Sequence, residues 1–523
     1  MVRTGIFTFL VINCLCSSIC SAEFQVNVRT SMDQKDAAIA GDGHSCFVVV
    51  WTSYFHTPRS NEILARRFDL AGNPLGNEFQ VNTTTEGNQS EPAVAMNADG
   101  NFVVVWQGPH SAVETDEDIF ARRFDANGAP LGDEFTVNTH TLDRQLSPGI
   151  GTNNAGRFVV VWESENILEL GKRAICGRVY DGSGVSIVDE FVVNEEAATC
   201  RYPDVAMESD GQFYVVWLKD SSLNSIWKRH FEADGTAPYF STKVNEAFNF
   251  TSLTEPSVAM DATGAFAVVW DGHPDTYLQD DIYLRRYHWS GAPLHLEVRV
   301  NTYKSGMQIN PSVAMSDDGQ FVVLWQSETA VENRMIDIFG QRFGAQGEHI
   351  GDPITLGEQF RLNTYIFEDQ RSPAVAIDNY GNFVVAWESY DQDGADYGVF
   401  GETGPKTGSA DTNGDGFVDF GDYCALAVQW QENSPTGGVD LIDDDEINGQ
   451  DLAAFCQQWL TPVYQCSRAD YNNDGKIDLK DYAVWAGNCS ETGPNIDGDA
   501  DGSGIVDMAD LRPLVFNWTK TCQ

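Results

Sequence analysis

Three regularities predict an all-β protein, a seven-bladed β-propeller, that continues into an all-α region of calcium loops. A tryptophan recurs at Trp51, Trp106, Trp162, Trp217, Trp270, Trp325 and Trp387, in steps of 55, 56, 55, 53, 55 and 62 residues. Such a period, with several short strands in each unit, marks a propeller or another repeat array. Turn residues divide each unit into four strand-length runs. After Gly404 the period stops, and acidic residues return at the spacing of calcium loops.

The first 22 residues, MVRTGIFTFLVINCLCSSICSA, carry a basic start at Arg3, an apolar run from Ile6 to Leu15 and small residues ending at Ala22. This pattern predicts a cleaved secretory signal, the run being too short to span a bilayer. No later segment is apolar over the length a membrane helix needs, so the mature chain is expected to be extracellular or held at a cell surface by its partners. Three of the 11 cysteines leave with the signal, and the other eight are expected to favour disulfides. A net charge of -45 repels nucleic acid and anionic membranes while favouring cation binding.

The second repeat shows one blade in order. PAVAM (Pro92 to Met96) reads as an inner strand of small residues, and Asp99-Gly100 turns the chain into Phe102 to Trp106, FVVVW. IFARRF (Ile119 to Phe124) follows, then a turn rich in Gly and Pro, then EFTVN (Glu134 to Asn138). The FVVVW run, apolar on both faces, suits the middle of a blade packed between neighbours. The last repeat lacks an EFxVN strand, and Glu23 to Asn27 is EFQVN. A propeller closes by letting its first strand complete its last blade, whereas an open β-solenoid would need caps. The domain is therefore expected to run from 23 to 404, closed by residues 23–27.

Strand alternation places the short, uniform turns on one rim and the variable loops on the other, making the second the expected binding surface. The third-strand arginines, Arg66, Arg122, Arg178, Arg229 and Arg285, are expected to pair with acids or backbone carbonyls, and the tryptophans to be core. Glu163, Asp271 and Glu388 directly follow their tryptophans. Paired carboxylates suit glycoside hydrolysis, but solvated loop acids are the expected reading. Asp391, Asp393 and Asp396 offer oxygens for a cation. The Asp-Gly turns match the Asp-box of sialidases only loosely, and no GxSxG, HExxH or phosphate-binding glycine loop is present. The units resemble the VVVW-type repeat of large secreted bacterial proteins, which implies no particular activity.

In the tail, 21 Asp and Glu stand against 6 Lys and Arg. Asp411, Asn413, Asp415, the Phe417 carbonyl, Asp419 and Asp422 occupy ligand positions of a calcium loop, with Gly416 at the sharp bend. Hard Ca²⁺ takes six to eight oxygens, which this spacing provides. Asp470, Asn472, Asp474, the Lys476 carbonyl, Asp478 and Asp481 repeat it, and Asp499, Asp501, Ser503, Asp507 and Asp510 form a third copy. Asp440, Asp444, Asn448 and Asp451 form a fourth, degenerate copy, with Ile442 and Asp445 at positions where a ligand and Gly are expected. About three Ca²⁺ ions are expected, their binding coupled to folding.

One loop followed by one short apolar helix, used in pairs, resembles the type I dockerin. The resemblance divides the tail into modules at 408–462 and 465–520, with a helical F-hand fold. It implies docking to a cohesin-type or cell-surface partner. In that family the pair after the ninth loop position helps to select the partner and is often Ser-Thr-like; here the pairs are Phe420-Gly421, Gly449-Gln450, Leu479-Lys480 and Met508-Ala509. The expected function is thus a secreted, calcium-binding docking protein with a non-catalytic propeller that recognises a polysaccharide or protein. The alternatives are a propeller hydrolase or lyase of extracellular polysaccharide catabolism, and a structural surface or matrix protein. The enzyme alternative predicts clustered acids and arginines at the axial end of the variable rim.

Overall fold

The computed structural model describes residues 23–403, apart from 55–60, 110–115, 222–223, 247–249, 275–278, 304–305, 329–334, 345–354 and 380. These residues form seven antiparallel sheets, each built from a consecutive stretch of chain except the last. Blade 2 is representative, with strands Ser90–Met96, Phe102–Pro109, Glu117–Phe124 and Phe135–Thr136 from axis to periphery. The innermost strands touch in sequence, and Gln370–Ile377 touches Gln34–Gly41, so the ring closes. Phe24–Gln25 pairs with Tyr397–Thr403 and supplies the outer strand of blade 7.

The core is seven separate layers, one between each pair of neighbouring blades. Each second strand therefore buries both faces, which is why its sequence is apolar without alternation. All seven repeat tryptophans are at most 1% exposed, as a core column must be. The indole N–H still needs an acceptor. In five blades it donates at 2.9–3.1 Å to the side-chain oxygen of a glutamine at the start of the inner strand: Gln34, Gln89, Gln145, Gln308 or Gln370.

Polar columns within and between blades explain the other repeated letters. The asparagine ending each fourth-strand motif, Asn27, Asn82, Asn138, Asn194, Asn245, Asn301 or Asn363, accepts a third-strand backbone N–H through its Oδ1 at 2.7–2.8 Å. Arg66, Arg122, Arg178, Arg229 and Arg285 reach back to the preceding blade and donate to the carbonyls of Val26, Val81, Val137, Val193 and Val244 at 2.5–2.9 Å. They are stitches between blades. The motif's glutamate also crosses a seam: Glu134 accepts from Thr83 and Thr84, and Glu23 accepts from Thr364 and Tyr365 at the closure.

Cys46, Cys176 and Cys200 are free and buried. The disulfides expected of exported cysteines are not made by these three, which sit in blades 1, 3 and 4 as small core residues.

Candidate functional site at the axial mouth

The inner strands carry a second repeated feature that the sequence reading passed over. Near its start each inner strand has one residue, usually before a proline, that faces the axis on the variable rim: Asp36, Glu91, Ser147, Tyr202, Glu255, Asn310 and Ser372. Six of the seven are left-handed, with φ between 48° and 55°. The ladder to the second strand shifts register at each of these six. Left-handed backbone is uncommon for non-glycine residues, and bulges re-aim side chains at such rims. Because six inner strands spend a strained residue at one level, and blade 5 places Glu255 there in a gap, seven side chains gather at one level of the ring.

In five blades the residue after the tryptophan holds this ring in place. Glu388 accepts the Asp36 N–H at 2.8 Å, Gln107 that of Ser147 at 2.9 Å, and Glu163 that of Tyr202 at 2.9 Å. Asp271 accepts from Asn310 at 3.3 Å and Gln326 from Ser372 at 3.1 Å. Each bond crosses from one blade to the next. The expectation that Glu163, Asp271 and Glu388 are solvated loop acids is therefore corrected: they are 1%, 0% and 6% exposed and serve as seam caps. Blade 4 offers Leu218 at this position. In blade 5 the inner strand is broken into Phe250–Leu253 and Ser257–Met260, and Glu255 in the gap is not left-handed.

Ring side chains differ from blade to blade, whereas the stitching columns barely vary. Three are acids. Glu91 and Glu255 are open to the channel yet surrounded by protein, and surrounding protein disfavours their charged forms. Glu91 is raised to about 7, first by that desolvation and then by the charges of Asp36, Glu255 and Glu163; the Ser147 hydroxyl, 3.2 Å away, opposes the rise. Desolvation also raises Glu255, helped by Glu163 and Asp36, and it raises Asp36 despite the nearby Glu91 amide and Lys35. The Tyr202 phenol is raised by burial and by Glu255 and Glu163. Below the ring, Asp271 is raised to about 7, mainly by burial, and its Oδ2 has no partner. These acids lie close enough for charge to be felt between them, and two of them, Glu91 and Asp271, are poised to hold a proton near neutrality.

Several cations on this rim are paired, while Lys172 is exposed without an ion pair among the described residues. Lys35 binds Asp33 at 2.8 Å, Arg144 binds Glu117 at 2.6 Å, and Arg173 binds Glu163 and Glu165 at 2.8 and 2.9 Å. Arg201 pairs with Asp220 at 3.5 Å, and Arg371 pairs with Asp369. Asp391, Asp393 and Asp396 do not converge on a cation; among the described residues no three His, Cys, Asp or Glu side chains gather closely enough to hold one. Asp393 instead accepts from Gln25 of the closing strand at 2.9 Å. The opposite mouth opens into a cavity of about 330 Å³ lined by the short turns, where Asp42 and Asp261 are bonded within their own turns. All the predicted calcium ligands, from Asp411 to Asp510, lie outside the described residues.

The ring was legible only in hindsight, as the residue before the inner-strand proline: Glu91-Pro92, Ser147-Pro148, Tyr202-Pro203, Glu255-Pro256, Asn310-Pro311 and Ser372-Pro373. A polar or acidic residue there, next to small apolar ones, is the signal.

No protein-family model and no curated protein matches the chain. Among solved structures, an ulvan lyase bound to -[GlcA(1-4)Rha3S]- is 10% identical over 73% of this chain and 96% of its own, with a TM-score of 0.44. A protein of unknown function from Dyadobacter fermentans is 10% identical over 73% of this chain and 97% of its own, with a TM-score of 0.43. An α-L-arabinanase from Penicillium chrysogenum, complexed with arabinobiose, is 11% identical over 73% of this chain and 98% of its own, with a TM-score of 0.40.

Proposed function

We propose that this chain is a secreted propeller enzyme of extracellular polysaccharide breakdown, working at the axial mouth of its variable rim and tethered through its C-terminal calcium loops to a cohesin-type or cell-surface partner. One observation carries the enzymatic part: strained, bulged backbone at Asp36, Glu91, Ser147, Tyr202, Asn310 and Ser372, with Glu255 in the broken inner strand of blade 5, gathers these seven side chains at one rim. Strain of this kind collects at functional sites. A recognition-only propeller needs a surface, but it does not need acids desolvated until one holds a proton at neutral pH.

In this reading Glu91 is the proton donor, since a carboxyl near 7 is matched to the working pH of general acid catalysis. Glu255, without a hydrogen-bond partner among the described residues, is the second carboxylate. Tyr202, Asn310 and the serines supply the donors and acceptors that orient sugar hydroxyls. The tethering part rests on the spacing of the tail alone, and about three Ca²⁺ ions would be its cofactors.

The test is cleavage of a panel of purified polysaccharides by the full-length chain and its Glu91→Gln variant. Loss of ~100-fold or more in rate with unchanged melting is expected. Binding without cleavage of any polymer would return the propeller to a recognition role.

A further inference from the structure

Resting on the reading of the chain as polysaccharide-active, we infer that its short-turn rim carries a second polysaccharide-binding surface, made by the rings of Tyr239, Phe240 and Trp289 where blades 4 and 5 meet. The surface holds polymer and does no chemistry.

The repeats provide an internal control, because a residue the fold requires recurs at its position in every blade. In four blades the third-strand arginine donates its Nε–H to one turn carbonyl: Arg66, Arg122, Arg229 and Arg285 bond Gly76, Gly132, Tyr239 and His295 at 3.2–3.4 Å. These four acceptors are therefore structural counterparts. Blades 1 and 2 place Gly76-Asn77 and Gly132-Asp133 at this exposed corner, whereas blade 4 places Tyr239 and Phe240 there, 70% and 83% exposed. The tight turn that begins the same connection gives a second case. In five blades its glycine N–H bonds back three residues, from Gly72, Gly128, Gly184, Gly235 and Gly291. The residue after the acceptor is Leu70, Ala126, Gly182, Ala233 or Trp289, and Trp289 is 58% exposed. The turn closes equally well with glycine or alanine, so folding does not call for an indole in water. Single exposed apolar residues are ordinary, but a contiguous exposed patch marks an interaction site.

The three rings are neighbours because the turn of one blade lies against the turn of the blade before it. At the seam of blades 2 and 3, Arg123 donates to the carbonyls of Gly182 and Leu131 at 2.8 and 3.4 Å. Those two residues are the counterparts of Trp289 and Pro238, and one guanidinium spans both. At the seam of blades 4 and 5, Lys228 donates to the Gly291 carbonyl at 3.1 Å and the Tyr214 hydroxyl to that of Trp289 at 3.5 Å. These bonds pin the Trp289 turn onto blade 4, beside Tyr239 and Phe240.

Charge and shape select the occupant. A second copy of the chain would bring another net charge of -45, and nucleic acid or an anionic membrane meets the same repulsion. Sugar rings need no countercharge: their flat C–H faces pack on aromatic faces, and their hydroxyl edges turn to polar neighbours such as His288, whose ring lies 5.0 Å from that of Trp289. The short turns and the variable loops lie on opposite rims, so a strand held here leaves the axial mouth open.

The experiment compares the full-length protein with its Tyr239→Ala/Phe240→Ala/Trp289→Ala variant. It follows retention in gels loaded with arabinan, xylan, mixed-linkage β-glucan, polygalacturonate or alginate, and cleavage of each polymer and of its short oligosaccharides. Retention should weaken ~10-fold or more in the triple variant, with oligosaccharide cleavage and melting unchanged. Trp289→Phe keeps a ring and should keep most of the retention. Equal retention of triple variant and wild type, or cleavage of a polymer that does not retain the wild type, would overturn this inference and leave the axial mouth intact. Loss of oligosaccharide cleavage with unchanged melting would also overturn it, by making the rings part of the mouth. Ring-dependent retention without any cleavage would support it and overturn the enzymatic reading. Neither retention nor cleavage of any polymer would overturn both. The single Trp289→Ala variant keeps the test decisive if the triple variant does not fold.

Discussion

The Glu388 carboxylate accepts the backbone N–H of Asp36 at 2.8 Å, across the seam where the last blade meets the first. Gln107 and Gln326 make the equivalent bond to Ser147 and Ser372 with a neutral amide. The cap therefore needs an oxygen and no charge. Burial first, and then the charge of Asp36, raise Glu388 from 4.5 to about 7. The folded state thus holds a proton that the unfolded chain releases above about pH 4.5. Its stabilising effect is complete below that pH and is lost as pH rises through about 7, a loss of roughly 3 kcal/mol at most. Glu388→Gln should match the wild type near pH 4.5 and exceed it above about pH 8. Urea unfolding at the two pH values checks this, and identical pH slopes would refute it.

Trp270 gives a second prediction. Its indole Nε1 is buried without a partner among the described residues, because Leu253 stands where five blades place the glutamine acceptor. Leu253→Gln should restore the bond and stabilise by about 1 kcal/mol. The change should raise the melting temperature, and a fall would mean that the broken inner strand of blade 5 cannot present the amide.

The closing strand gives a third. Val26 is fully buried, donates its N–H to the Val399 carbonyl and accepts from Arg66, while Asn27 accepts the Val399 N–H. Asn27→Ala leaves a buried N–H unpaired and should cost about 1–3 kcal/mol. Deleting residues 23–27 removes the whole outer strand and should cost more than either single bond. Thermal melts of both variants test the order, and a deletion milder than Asn27→Ala would refute the closure as a source of stability.

Calcium supplies a fourth. Chelation of the full-length protein should abolish helical circular dichroism while leaving the strand signal, because the loops that order the tail lose their ligands and the propeller uses none of them. Titrating Ca²⁺ back should fill about three sites. A helical signal indifferent to chelation would refute the calcium loops.

Much of the propeller was legible from its repetition, because residues packed the same way in every blade must repeat. The tryptophan column, the arginines and the EFxVN asparagine all met this condition. The acids after the tryptophans did not: Glu163, Gln107 and Leu218 share one position with different chemistry, so a seam cap looked like a loop acid. The ring at the mouth escaped for the same reason. Asp36, Tyr202 and Asn310 are equivalent in backbone and unlike in side chain.

The sequence by itself determined the number of blades, the buried columns and the rim that carries the variable loops, since each follows from periodicity and local turn chemistry. Only the tertiary structure decided that residues as far apart in the chain as Asp36, Glu91 and Glu255 share one rim, where the charge of Asp36 raises both Glu91 and Glu255. That coupling depends on separation and local desolvation, quantities set when the ring closes and absent from any single repeat.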